Sequence, residues 1–201
     1  MIDEKGLTPK QIRNMVVGLV LGLALTALFR YASSHFTEAN YAELKQKEWK
    51  TVKLGNPFIQ IETPVDLKEI TLELPATAKA LVESQQSFSY QAGYELTITA
   101  TIIKYRPDVY FDPEGSEKSI QNFEKLFGAK NIVFDKKDLT INHYQSKRLD
   151  GTFDIGDKEY AFTRISIESG SVVRDVLVIV KKGDNEGKEI RERIINTIKV
   201  A

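Results

Sequence analysis

The sequence predicts an α+β fold, a mainly antiparallel sheet flanked by helices and preceded by one N-terminal transmembrane helix. Three observations carry that prediction. An uncharged apolar run, Met15 to Phe29, stands near the start of the chain between Arg13 and Arg30. Beyond residue 49 the apolar residues recur mostly with period two, which is the mark of strands. These strands come in runs, with helical patterns inserted late, and do not alternate one-to-one with helices as a doubly wound sheet requires.

The bulk composition is that of a folded globule. Among 201 residues, 42% are hydrophobic and 9% aromatic, enough to build a core. Basic and acidic residues balance at 28 each, which argues against a nucleic-acid binder with its basic stripe. Cysteine is absent, so disulfide scaffolds, thiolate metal sites and a cysteine-linked lipid anchor are excluded.

Residues 1–14 are polar and carry Lys5, Lys10 and Arg13, the pattern of a cytoplasmic tail. The apolar run alone reaches only ~22 Å as a helix, short of a ~30 Å hydrocarbon core. Adding Ile12 and Tyr31-Ala32, with the flanking arginines snorkelling to the headgroups, gives a span of 21 residues. Residues 15–32 are therefore expected to anchor the chain in a membrane, with the domain outside. The alternative is a secretory signal cleaved near Ala32 or Ser34, leaving a secreted protein. Residues 33–48 are polar and helix-compatible, with Tyr41 and Leu44 as a thin apolar stripe, and read as a stalk or a first short helix.

Trp49 opens the domain, expected to run over 49–201. Phe58 to Glu62 and Ile70 to Leu74 read as short strands stopped by Pro64 and Pro75. Ala76 to Gln86 places Ala78, Leu81, Val82 and Gln85 on one helical face and predicts a short helix. Tyr94 to Tyr105 alternates, with Leu96, Ile98, Ala100 and Ile102 against Thr97, Thr99 and Thr101, which predicts a strand with one face in solvent. Asp112-Pro113-Glu114 starts a helix whose buried face is Ile120, Phe123, Leu126 and Phe127, with Gly128 as its stop. Strands are expected at Ile132–Phe134, Leu139–Gln145, Arg148–Ile155, Lys158–Glu168 and Val172–Lys181. Within the last, Val176 to Val180 is apolar throughout, as in a central strand covered on both sides. Asp184 and Asn185 cap a final helix with Ile190, Ile194, Ile195 and Ile198 inward.

From Trp49 onward the order is a Phe-Ile-Gln-Ile-Glu-Thr-Pro segment, a long strand, one amphipathic helix, meandering strands and a last Ile-rich helix ending Asn-Thr-Ile-Lys. This order, with Leu149-Asp150-Gly151-Thr152-Phe153 as a hydrophobic-x-Gly strand, resembles the PsbP/DcrB-like family over residues 49–200. The resemblance implies an α/β/α sandwich. It also implies an accessory, assembly or adaptor protein rather than an enzyme, and it carries over no functional residues.

Chemistry is sparse. The histidines are His35, beside the apolar run, and His143, read as a sheet-face residue. Gly-x-Ser-x-Gly is absent, and Ser169-Gly170-Ser171 reads as a hairpin turn. Gly151 to Lys158 misses the phosphate-loop spacing. Asp108, Asp112, Glu114 and Glu117 lack the spacing of a calcium loop and read as a solvated helix start. No cofactor or metal is expected. The loop with Tyr105, Arg106, Tyr110 and Phe111 is the candidate partner-binding surface, because aromatics and arginine concentrate at interfaces. The expected function is a membrane-anchored, extracytoplasmic, non-catalytic accessory or adaptor domain acting through protein contacts. The alternative is a small-ligand-binding envelope protein with a pocket between sheet and helices.

Overall fold

The computed structural model describes residues 39–71, 74, 79–92, 95–107, 109 and 128–200. The expected tail, transmembrane helix, acidic helix start at 112–117 and helix through Phe127 lie outside these residues, as do Tyr110 and Phe111. No helix among the described residues is long and apolar enough to cross a membrane.

The short helix α1 (Tyr41–Gln46) comes first, capped by Asn40, whose Oδ1 accepts from Glu43 N at 3.1 Å. Strands β1 (Lys50–Leu54), β2 (Ile59–Thr63) and β3 (Lys68–Ile70) follow. The long strands are β4 (Val82–Ala92), β5 (Leu96–Tyr105), β6 (Lys130–Ile141), β7 (Tyr144–Ile155), β8 (Lys158–Ser169) and β9 (Val172–Lys181). Helix α2 (Asn185–Asn196) and strand β10 (Lys199–Val200) close the chain.

Seven strands form one sheet in the order β3-β4-β5-β9-β8-β7-β6, and every pairing is antiparallel. A second sheet, β1-β2-β10, lies with α1 and α2 over one face of the first and shares its largest core. The α+β prediction holds, and β9 sits mid-sheet, fully buried up to Val180 as its apolar run predicted.

On this first face Ile98, Val176, Val178 and Ile165 meet Ile190 and Ile194 of α2. Asp184 caps α2 as expected, its Oδ1 accepting from Gly187 N at 2.8 Å. Gly187 has no side chain for a packing reason: a Cβ there would lie 3.0 Å from the Tyr41 ring. Tyr41 and Leu44 are 5% and 4% exposed and pack into the core that α1 shares with the large sheet. The Tyr41 hydroxyl donates to the Glu95 carbonyl and accepts from Lys181 N at 2.9 Å, pinning α1 to two strands. Burial drives its pKa well above the ordinary value, against the opposing pull of the Lys181 N–H.

Four expectations are corrected. The predicted helix at Ala76–Gln86 gives way to β4 from Val82 on, because pairing with β5 along its length outweighs four apolar positions of helical spacing. The threonine face of β5 is not in solvent: Thr97, Thr99 and Thr101 are 2%, 4% and 5% exposed. Leu139 to Gln145 is not one strand, since the chain reverses at Asn142 and His143, both in the left-handed region (φ 47° and 74°). His143 is thus an exposed hairpin-tip residue rather than a sheet-face one.

Gly151 has a different task from a turn glycine. A Cβ there would lie 2.4 Å from the Val133 carbonyl oxygen and 2.6 Å from the Phe162 ring, so only glycine admits the irregular start of β6.

Candidate functional site

The predicted loop is split by the structure. Tyr105 is 1% exposed, its side chain in a small cluster with Ile103 and Val173, so it is core rather than contact surface. The reason is parity: it shares a strand face with Thr101 and Ile103, which is covered. Burial pushes its phenol well above the ordinary pKa, and the nearby Asp175 charge adds to this. Arg106 is exposed, its backbone N–H held by the Leu81 carbonyl at 3.1 Å.

The second face of the large sheet carries a feature that no linear motif announces. Ser87, Thr101, Asp175, Ser166, Lys147 and Asp138 stand directly opposite one another in turn across β4, β5, β9, β8, β7 and β6. All six are polar. Its inner members are buried and hydrogen-bonded: Ser87 Oγ to Thr101 Oγ1 at 3.3 Å, and Ser166 Oγ donating to Asp175 Oδ2 at 2.7 Å. Arg164, on the same face and 1% exposed, places its Nε 3.0 and 2.7 Å from the two Asp175 oxygens. A buried ion pair is costly to desolvate, and here the hydroxyl of Ser166 completes the carboxylate's partners. Ser89 Oγ, Gln85 Oε1 and both polar atoms of Gln91 extend this polar face along β4, buried and without a hydrogen-bond partner.

Towards β6 the row leaves the core and enters a groove of about 470 Å³. Lys136, Asp138, Thr140, Gln145, Lys147 and Glu168 line it, from three adjacent strands. Its size is within the range of small-ligand pockets. Lys136 and Glu168 are already partnered, whereas Lys147 and Asp138 make no ion pair among the described residues. Glu168 precedes the Gly170 turn, and the other five flank the β6–β7 tip, so 21 to 32 residues of sequence separate Glu168 from the groups that share its hollow.

On the first face, Arg148 ties α2 to the sheet. Its Nε and Nη2 donate to Asp150 at 2.6 and 2.9 Å, and Nη2 also donates to Glu192 Oε2 at 2.9 Å. Thr163 Oγ1 donates to the same Asp150 at 2.6 Å. These groups serve helix docking. No group of three or more His, Asp or Glu side chains among the described residues is placed to hold a metal ion.

No known protein family and no curated protein matches the sequence. Solved structures do match. The PsbP protein of the cyanobacterium Synechocystis sp. PCC 6803 superimposes with a TM-score of 0.53 at 7% identity, over 76% of this chain and 92% of that one. A Mycobacterium tuberculosis protein, LpqN, described as involved in cell envelope biogenesis, gives 0.46 at 13% identity, over 82% and 98%. A Pseudomonas aeruginosa protein of unknown function gives 0.37 at 13%, over 71% and 89%. The antiparallel sheet order, the helices on its first face and the match to the cyanobacterial protein together show a PsbP-like fold.

Proposed function

We propose that this chain is a non-catalytic accessory domain, held at the outer face of a membrane by residues 15–32, that works by contacting a partner protein. The observation that carries the reading is the outer edge of β6. Among the described residues this twelve-residue strand pairs only with β7, which places it at one edge of the large sheet. Asp135, Lys136, Lys137 and Asp138 guard one half of it with charge, as edge strands do against indiscriminate pairing. The other half has Val133, 67% exposed, the large apolar side chain most in solvent among the described residues. An extended segment of a partner added there gains main-chain hydrogen bonds and an apolar anchor. Arg106 stays available to a partner, while Tyr105 does not.

A photo-cross-linking amino acid placed at position 133 of the full chain in its native membrane tests this. A discrete adduct at 133, absent from the same probe at exposed Lys158, is expected. Equal labelling at both positions, or none, removes the edge as a contact surface. The mass of the native amino terminus decides in the same preparation between an anchored and a signal-cleaved, secreted form.

The ligand-binding reading has its own observation, the groove of about 470 Å³ between β6, β7 and β8.

A further inference from the structure

Lys147 and Asp138 face each other directly across the β6–β7 ladder. Opposed Cβ atoms in such a ladder lie about 4.5–5.5 Å apart, near enough for the two side chains to close on each other. Elsewhere in the sheet a cross-strand closure is made even at an irregularity: Lys104, which stands opposite Ser84, brings its Nζ to 2.5 Å from Glu83 Oε1. Lys147 and Asp138 do not meet, and both line the groove instead. Lys136 and Glu168, the other two charges of the groove, are partnered already. What the groove offers is one ammonium and one carboxylate side by side, with the Gln145 amide and Thr140 hydroxyl beside them.

We propose that the groove binds a small zwitterion of the class of free amino acids and dipeptides. The ligand's carboxylate pairs with Lys147, its ammonium with Asp138, and its amide or carbonyl with Gln145 and Thr140. Two residues in extended form span at most roughly 7 Å, which suits charges held on neighbouring strands. The proposal rests on the ligand-binding reading and is independent of protein capture at the β6 edge.

The test is isothermal titration of the full chain in detergent micelles with L-alanyl-L-alanine and three capped forms. N-acetylation removes the ammonium, amidation removes the carboxylate, and both together give a neutral control. Saturable binding of the free dipeptide is expected, weakened by about tenfold or more by either cap, since each cap removes a charge-assisted contact. Lys147→Ala and Asp138→Ala each lose the binding with unchanged melting temperature, and the exchange Asp138→Lys/Lys147→Asp regains it with the ligand reversed. If a capped form binds as well as the free dipeptide, the zwitterion is wrong while the ligand-binding reading stands. If none of the four binds, both fall.

Discussion

The two faces of the seven-stranded sheet come from alternate residues of the same strands, yet they differ in how much polar chemistry they bury. On the first face Ile98, Ala100 and Ile102 of β5 continue into Val176 and Val178 of β9 and Ile165 of β8, closed over by the isoleucines of α2. One residue along each strand, the second face runs Ser87, Thr101, Asp175 and Ser166, with Arg164 beside them. Apolar burial is non-directional and tolerates many partners. Buried hydroxyls and charges are tolerated only when their hydrogen bonds are met, so their positions are specified closely. The first face is closed over by apolar packing, whereas the second sets apolar clusters, Leu177, Ile179 and Phe162 among them, beside a row of polar groups that ends in an open groove.

The largest effect that tests this contrast belongs to the second face. Asp175→Ala removes the carboxylate that the buried Arg164 Nε contacts at 3.0 and 2.7 Å, Arg164 itself being 1% exposed. A loss of about 3–5 kcal/mol is expected, as for other broken buried pairs, read from the urea midpoint. Replacing both by apolar residues, Arg164→Met with Asp175→Leu, should recover most of it, because the pair gains little net energy over an apolar filling. A double variant as weak as the single one makes the pair a stability element and erases the difference between the faces. Next is Ile194→Ala on the first face, where the side chain is fully buried. It should cost about 2–5 kcal/mol with no remedy from a second polar change. A cost under about 1 kcal/mol means that α2 contributes less to the first face than its packing implies.

The outline of the fold was legible where the chain's period was strong. Strands β8 and β9, the Gly170 turn and helix α2 follow from alternation, a glycine between two runs and Asp184 before four isoleucines. Alternation in β5 showed that its two faces differ; it could not show that the polar one meets solvent. A threonine row is buried when a neighbouring strand supplies hydroxyls, as Ser87 does for Thr101. Strand β4 was hidden because its first residues have helical spacing and its own alternation, Phe88 and Tyr90 between serines, starts late. For the candidate site the sequence offered only a local signal, aromatics around Arg106. The parity of Tyr105 with Thr101 and Ile103 was the available clue that its ring turns away from that surface. The groove draws on three strands, and residues such as Asp138 and Lys147 become neighbours only once the register is known.

The smallest effect separates the faces by pH. Asp150 lies on the first face, opposite Thr163, and is only part-buried. Burial alone disfavours its charged form, but the hydrogen bonds from Arg148 and Thr163 outweigh that, and its pKa falls below the ordinary carboxylate value. A carboxyl whose pKa is depressed by folding contributes stability that is fully present above the unfolded value, ~3.9, and is lost as pH falls through the folded value. Asp150→Asn should therefore be less stable than the parent at pH 7 by no more than about 1 kcal/mol, since partial exposure screens the pair. Below about pH 4 the parent loses the same contribution and the two urea curves should converge. A gap that persists unchanged to pH 3 would mean that the Arg148–Asp150–Glu192 contacts act through shape rather than charge. In that case the first face would hold α2 by packing and shape rather than by charge.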